Sequence, residues 1–320
     1  MAKVIVKRLL SAVAVLFVVT LITFCVLRII PGDPAMLILG TDATPEKLAE
    51  LRHAMGMDLP VITQYFNWIK GILCGDWGTS YLLGGNVLTL IMQRLPITVF
   101  LTIYSMLIAV SVSAVLGTLS ALRQGGIVDI ISRSLMQLGS SIPSFWLSMI
   151  FMILFTARLK WFPVSGYVPP SEGMGAFIKS LTLPACVMAI GEMGILIRMF
   201  RTSMLKSLNE DFMIATQVKG LSKFMAITKY ALRSAVIAPI TIIGNQMAKL
   251  FGGTVIVETI FSLGGIGRLL LTSVEQRDTI LLQGIVLFIT FMVVLINFLT
   301  DILVMVANPL IRLNEGEGGV

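Results

Sequence analysis

Charged side chains lie inside long apolar stretches of this sequence at Glu192, Lys249, Glu258 and Asp301. A charged group is costly in the hydrocarbon of a membrane, so such residues mark solute pathways or internal ion pairs. Glu258 and Asp301 lie near the ends of their stretches and are expected to reach water. Glu192 lies between glycines in AIGEMGILIR, and we expect it either to face a transport pathway or to pair with Lys249.

The other chemistry-bearing residues form no catalytic or metal-binding pattern. The lone histidine, His53, lies in a charged stretch, and Cys25, Cys74 and Cys186 are widely separated. The sequence contains no HExxH, no G-x-S-x-G, and no G-x-x-x-x-G-K-[ST] loop of the kind that binds ATP. We therefore expect no catalytic residue, no metal site and no cofactor bound by this chain, so any ATP-driven work requires a separate subunit.

Composition places the chain in a membrane. It has 320 residues, 56% hydrophobic and 13% charged, with a mean hydropathy of +0.93, whereas soluble domains carry about 25% charged residues. Charge-poor runs of roughly 20 residues can cross a hydrocarbon core. They occur at about 9–30, 97–122, 134–156, 181–198, 234–260 and 280–307. The sequence thus predicts an all-α membrane protein with six transmembrane helices, kinked at or near Pro143, Pro184 and Pro239.

Charge asymmetry orients these helices, because Lys and Arg concentrate in cytoplasmic loops. With the N-terminus inside, the cytoplasmic segments carry a clear excess of basic over acidic residues, and the external segments are nearly balanced. Both termini are therefore predicted to be cytoplasmic.

The chain then divides into four parts. They are an N-terminal tail and first transmembrane helix (1–30), an external subdomain (31–95), a transmembrane core (96–308) and a flexible cytoplasmic tail (309–320). In the external part, TPEKLAELRHAMG predicts a short helix capped by Thr44 or Thr41, with one apolar face packed on the membrane domain.

An amphipathic basic segment, residues 207–233, interrupts the transmembrane core on the cytoplasmic side. Ser207 and Glu210 fit a capping box that starts one helix, Gly220 is placed to end it, and Ser222 can cap a second. Its charges exclude a transmembrane helix. The residues alone leave two roles open, an interfacial helix on anionic lipid and a docking site for a cytoplasmic protein.

This segment resembles the coupling loop of binding-protein-dependent ABC importer permeases, in particular the dipeptide, oligopeptide and nickel branch. That branch commonly reads E-D-Y-x-x-T-A-x-A-K-G-L followed by H-A-L-R-N-A, and this chain has EDFMIATQVKGL and YALRSA. IPGDPA, GDWGTS, SIPSFWL, FPVSGY, ETIFSLGGIGR and NPLIR extend the resemblance over nearly the whole chain. The departures are Thr216 and Val218 in place of alanines, and Leu263 with Gly264 in place of Trp-Pro.

The resemblance implies a type I ABC importer permease fold in the bacterial inner membrane. It implies a second homologous permease, two ATPase subunits that bind ATP and Mg, an extracytoplasmic solute-binding protein, and no nucleic acid. Trp68 and Trp77 then either contact the binding protein or mark the membrane interface. The residues expected to dock the ATPase subunit are Phe212, Ala215, Thr216, Lys219, Gly220 and Leu221.

Small peptides are the first substrate that this resemblance implies, with nickel or a metal chelate and glutathione-like solutes as alternatives. An ion-coupled secondary transporter is a competing class of function. It predicts an inverted repeat and several ionisable residues near the middle of the membrane. The sequence shows no obvious repeat, and only Glu192 and Lys249 fall near the middle of a span.

Overall fold

The computed structural model describes residues 2–29, 34–40, 43–80 and 83–307. The tail predicted at 309–320 lies outside these residues. Within them the regular structure is helical, apart from a single antiparallel bridge between Thr79 and Asn86. The all-α fold class predicted from the sequence is confirmed.

Fifteen α-helices are found in the described residues. They are α1 (Ala2–Ile29), α2 (Pro34–Leu39), α3 (Pro45–Ala54), α4 (Val61–Leu73), α5 (Val87–Leu122), α6 (Ile127–Ser141), α7 (Ser144–Phe151), α8 (Met174–Leu208), α9 (Asp211–Val218), α10 (Lys223–Met225), α11 (Leu232–Ala235), α12 (Ile237–Gly253), α13 (Val255–Ile260), α14 (Ile266–Glu275) and α15 (Thr279–Ala307). Short π-helices continue α7 through Met152–Arg158 and join α10 to α11 through Ala226–Ala231.

Four of these helices, α1, α5, α8 and α15, are each long and apolar enough to cross a membrane. Two bent pairs raise the number of candidate spans to as many as six, α6 with α7 and the helical stretch 223–235 with α12. The fifth predicted span, 234–260, is divided at Thr254 into α12 and α13.

The third predicted span is broken rather than kinked. The axes of α6 and α7 differ by 107°, and the break lies at Ile142 and Pro143. Ile142 is extended, with φ −88° and ψ 121°, because the ring of a following proline disfavours the helical conformation. A single helix over 134–156 is therefore wrong.

The helix α5 begins earlier than its predicted span. The Asn86 side chain accepts a hydrogen bond from the Leu88 N–H at 2.9 Å and so caps the helix there. Pro96 lies inside α5, so the external boundary predicted at residue 95 falls within a continuous helix.

Glycines allow α8 to pack closely against α6 in the core. A Cβ atom added to Gly139 would lie 2.6 Å from the carbonyl oxygen of Ile190, and one added to Gly194 would lie 2.7 Å from that of Met136. Both distances are shorter than real Cβ contacts, so only glycine fits this crossing.

One external helix, α4, is held near the outer end of α1, whereas α3 is more exposed. Thr44 caps α3 as predicted, accepting from the Lys47 N–H at 3.3 Å, but α3 contains no buried residue. Tyr65 of α4 is buried, and its hydroxyl lies 2.9 Å from that of Thr20 in α1. The Tyr65 ring also packs edge-on against Phe24, 5.3 Å away.

Candidate functional site

Residues 207–235 form two short helical pieces at the cytoplasmic end of α8, here called the cytoplasmic hinge. Gly220 follows α9 with a φ of +70°, which glycine adopts without the strain of a side chain. The Ser222 hydroxyl accepts from the Met225 N–H at 3.4 Å and caps α10. The predicted helix end and second cap are both confirmed.

The start of the hinge differs from the prediction. Ser207 lies inside α8, and its buried hydroxyl donates to the carbonyl oxygen of Ala231 at 2.8 Å. It therefore does not form the predicted capping box with Glu210. The hydroxyl instead ties the end of α8 to the π-helix that precedes α11.

The inner face of the hinge packs against the helical bundle. Met213, Ala226 and Ala231 are buried in one apolar cluster with Met204 of α8. Thr216 is also buried, and its hydroxyl donates to the Met213 carbonyl oxygen at 2.7 Å. These contacts fix how the hinge is presented to the cytoplasm.

The exposed surface of the hinge carries large apolar side chains among its basic residues. Val218 is 83% exposed and Phe224 is 77% exposed, at either side of the Gly220 turn. Ile214, Ala215 and Met225 are exposed beside them. These five residues, Ile214, Ala215, Val218, Phe224 and Met225, are called the cytoplasmic apolar face below.

The predicted docking residues divide between the two faces. Ala215, Lys219 and Gly220 are exposed, Phe212 and Leu221 are half-buried, and Thr216 is 4% exposed. Thr216 thus supports the hinge from inside and is not on its free surface. Helical spacing groups Phe212, Ala215, Thr216 and Lys219 on one face, but it gives no indication that the bundle covers Thr216 and leaves Ala215 and Lys219 exposed. It missed Val218 and Phe224, whose apolar side chains in a charged loop were the available signal.

A buried carboxylate anchors the bundle beside the hinge. Asp129 accepts hydrogen bonds from Ser120 Oγ at 2.6 Å, from the Gly125 N–H at 2.9 Å and from Arg201 Nε at 3.0 Å. Arg133 also pairs with it. Asp129 therefore links α5, α6 and the cytoplasmic part of α8, which sequence analysis did not predict.

The structure brings Glu192 and Lys249 together. Lys249 Nζ lies 3.5 Å from Glu192 Oε1, and Gln246 Nε2 donates to Glu192 Oε2. The Glu192 side chain is nearly buried, whereas that of Lys249 is 66% exposed. Both residues line a cavity of about 360 Å³ between α6, α8 and α12.

The remaining two charged residues of the apolar stretches do not simply reach water as expected. Glu258 is fully buried, accepting from Thr98 Oγ1 at 2.7 Å and from the Arg268 N–H at 3.0 Å. It joins α13 to α5 and to the start of α14. Asp301 of α15 forms an ion pair with Arg8 of α1.

Trp68 and Trp77 both pack against transmembrane helices. Trp68 stacks on Phe24 of α1 at 6.1 Å, and Trp77 meets Phe288 of α15 edge-on at 6.3 Å. Both tryptophans are half-buried and line an open external groove of about 510 Å³. The structure therefore gives each tryptophan a packing role.

Two family matches cover most of the chain. Residues 113–313 match the family described as binding-protein-dependent transport system inner membrane component. Residues 1–102 match the corresponding N-terminal family of membrane components. The chain belongs to this permease family. It is a multi-pass permease subunit of a binding-protein-dependent ABC importer in the bacterial inner membrane.

Several relatives match the permease over almost its whole length. A putative peptide transport system permease protein of Brucella abortus (strain 2308) is 37% identical over 312 residues, covering 98% of this chain and 99% of the relative. The dipeptide transport system permease protein DppB of Escherichia coli (strain K12) is 34% identical over 336 residues, covering 98% and 99%. The di/tripeptide permease DppB of Pseudomonas aeruginosa (strain UCBPP-PA14) is 34% identical over 327 residues, covering 96% and 97%.

A solved structure supports the fold of the permease. The inward-facing MetNI methionine ABC transporter aligns with a TM-score of 0.55 at 15% identity, covering 69% of this chain and 97% of the chain compared. The predicted type I importer permease fold is confirmed.

Proposed function

We propose that this permease forms half of a translocation pathway for small peptides, which an external solute-binding protein delivers. A second homologous permease completes the pathway, and two ATPase subunits drive it. The names of the full-length relatives support peptides over nickel chelates or glutathione-like solutes. The observation that carries the energy-coupling part of this proposal is the cytoplasmic apolar face.

The cytoplasmic apolar face suits a protein partner. Val218 and Phe224 expose large apolar side chains beside Lys219 and Lys223, and burying apolar area contributes about 25 cal/mol per Å². The exposed apolar side chains lie on two short helices, α9 and α10, on either side of the Gly220 turn, so they do not form one stripe along a single helix that could lie flat on lipid. An ATPase subunit with a complementary groove would cover these side chains and leave the lysines at the rim.

The hinge contacts give this docking site a mechanical connection to the pathway. Ser207 ties the hinge to α8, and Arg201 of the same helix binds Asp129. α8 also carries Glu192, which lines the cavity between α6, α8 and α12. A partner that contacts the hinge differently in its nucleotide-bound and nucleotide-free states can therefore shift the position of α8.

ATP chemistry belongs to the partner in this scheme. ATP and Mg bind the ATPase subunits, and the permease contributes docking and pathway residues but no catalytic group. Its sequence has no phosphate-binding loop of the Walker type.

Reconstitution tests the proposal directly. We expect proteoliposomes that contain both permeases and both ATPase subunits to accumulate a labelled dipeptide only with ATP and loaded binding protein. The permease reconstituted alone should accumulate no dipeptide, with or without an ion gradient. Gradient-driven uptake by the permease alone would contradict the coupling scheme, and uptake of a nickel chelate or glutathione in place of peptides would contradict the substrate assignment.

A further inference from the structure

The polar cluster at Glu192 lies deep in the membrane. At 1.5 Å per residue, Glu192 is about 27 Å from the outer end of α8 at Met174 and about 24 Å from the inner end at Leu208. Lys249 is about 18 Å along α12 from Ile237 at the same rise. Since the hydrocarbon core is about 30 Å thick, both side chains lie near its middle.

The exposure of Lys249 indicates what its side of α12 faces in the membrane. A charged side chain near the middle of a membrane faces a water-filled cavity or another protein, because exposure to lipid is costly. Two-thirds of the Lys249 side chain is exposed, and the side chain borders the 360 Å³ cavity. This surface of α12 therefore faces the pathway or the second permease and does not face lipid.

The cavity has free space beside its glycines. Its walls include Gly191 of α8 and Gly253 of α12, and a Cβ atom added to either glycine would meet no atom within 4 Å. Helix packing therefore does not require a glycine at these two positions. The cavity volume lies within the range of about 300–1,000 Å³ typical of small-molecule sites.

The cavity presents positive charge to a solute. Glu192 is nearly buried, and its two carboxylate oxygens are occupied by Gln246 and Lys249. The Lys249 ammonium has three donors, and its 3.5 Å contact with Glu192 is longer than the about 2.7–2.9 Å of a strong charge-assisted bond. The Lys249 ammonium can therefore donate a hydrogen bond to an anionic group of the solute while Glu192 keeps the lysine in place.

We propose that Lys249 binds the C-terminal carboxylate of a peptide as it crosses the membrane, with Glu192 and Gln246 positioning the lysine. This inference rests on the proposed peptide import function. It also predicts selectivity within that function, because an exposed ammonium attracts a carboxylate and repels a free metal cation.

Transport by charge variants tests the role of Lys249. In the reconstituted complex, we expect Lys249→Met to lower dipeptide uptake by about tenfold, since a charge-assisted hydrogen bond is lost. Lys249→Arg should retain most uptake. The exchanged variant Glu192→Lys with Lys249→Glu should remain as impaired as Lys249→Met, because it presents a negative charge to the solute. Recovery of uptake in the exchanged variant would mean that only the internal ion pair matters and would overturn the proposal.

A matched control comes from the same helix as Glu192. Lys179 is an exposed lysine at the outer end of α8, and Lys179→Met should leave uptake unchanged. An equal loss in Lys179→Met and Lys249→Met would show that the loss is not specific to the cavity.

Binding without the solute-binding protein separates a solute role from a subunit contact. Saturation-transfer NMR on the purified complex should show that dialanine binds about tenfold more tightly than its C-terminal amide, and Lys249→Met should abolish this preference. Equal binding of the two peptides to the native complex would assign Lys249 to another partner, such as an acidic residue of the second permease, and would overturn the proposal. Dipeptide uptake by the native complex checks the proposed function separately, so failure of the Lys249 proposal can be distinguished from failure of the proposed function.

Discussion

The cytoplasmic hinge and the mid-membrane cavity are opposites in chemistry. In the hinge, Val218 and Phe224 expose apolar side chains where the surroundings are water. In the cavity, Lys249 exposes a charge at the depth of the hydrocarbon core, on a surface that does not face lipid. In both regions the exposed side chain is poorly matched to the bulk medium at its depth, and a buried polar group behind it holds the structure in place.

This contrast shows how a membrane protein marks its functional surfaces. Burial alone does not distinguish them, because many apolar side chains of α1 are also exposed, as expected for a helix that faces lipid. Exposure becomes informative when it is compared with the depth of the residue in the membrane. By that criterion we propose an apolar protein partner for the hinge and an anionic group for the cavity.

We expect the largest effect from removing the Asp129 carboxylate, which supports the helices of both regions. Asp129→Ala leaves Arg201 and Ser120 without the carboxylate that joins α5, α6 and α8. We expect the midpoint of thermal unfolding in detergent to fall by roughly 10 °C, since loss of a buried charged partner is among the most damaging changes. Arg133→Ala is the matched control, because Arg133 pairs with the same carboxylate from an exposed position. Equal shifts for the two variants would contradict the assigned role of Asp129.

A substitution at the crossing of α6 and α8 should have an intermediate effect that is confined to the cavity region. Gly194→Val forces a side chain against the Met136 carbonyl oxygen at the crossing of α6 and α8. Overpacking of this kind costs about 1–3 kcal/mol, which thermal unfolding can detect. We also expect dipeptide uptake to fall while the ATPase subunit still co-purifies, because the hinge lies elsewhere.

The control for this change is Gly175→Ala in α8, where an added Cβ meets no atom within 4 Å. It should leave both unfolding and uptake unchanged. Loss of ATPase co-purification in Gly194→Val would show that the two regions cannot be separated by mutation.

We expect the smallest effect, a small loss of stability, from substitutions of Gly220 at the turn of the hinge. Gly220 has a φ of +70°, and alanine in that left-handed conformation costs about 1 kcal/mol. Gly220→Asn should cost less, because asparagine tolerates this region. Chemical unfolding of the purified permease, compared for the two variants, measures the difference. Identical stabilities would indicate that the turn rearranges and that the glycine is not required there.

Local features of the fold were predictable from the sequence. Gly220 and Ser222 act through neighbours a few residues away, so their roles as helix end and helix cap follow from local pattern. The apolar runs placed the transmembrane helices, since length and composition decide which segments can cross a membrane. The apposition of Glu192 and Lys249 was one of two open alternatives, and the contact between them is now observed.

Long-range features were not predictable in the same way. Asp129 meets Arg201 of α8, and Ser207 meets Ala231, through contacts that no local pattern reveals. Glu258 was expected near water because it lies near the end of a span, yet α5 and α14 cover it completely. Thr216 points inward for a related reason, since periodicity identifies a helical face but tertiary packing decides whether that face is covered.

ATP hydrolysis by the reconstituted complex, stimulated by loaded binding protein, tests the docking role of the cytoplasmic apolar face. Phe224→Arg and Ala215→Arg place a charge on the cytoplasmic apolar face, while Val164→Arg alters an exposed apolar residue in the external segment before α8. We predict that the first two variants insert and fold normally but lose ATPase co-purification and about tenfold or more of the stimulation, and that Val164→Arg retains both. Full stimulation in Phe224→Arg and Ala215→Arg would contradict the docking role of this face.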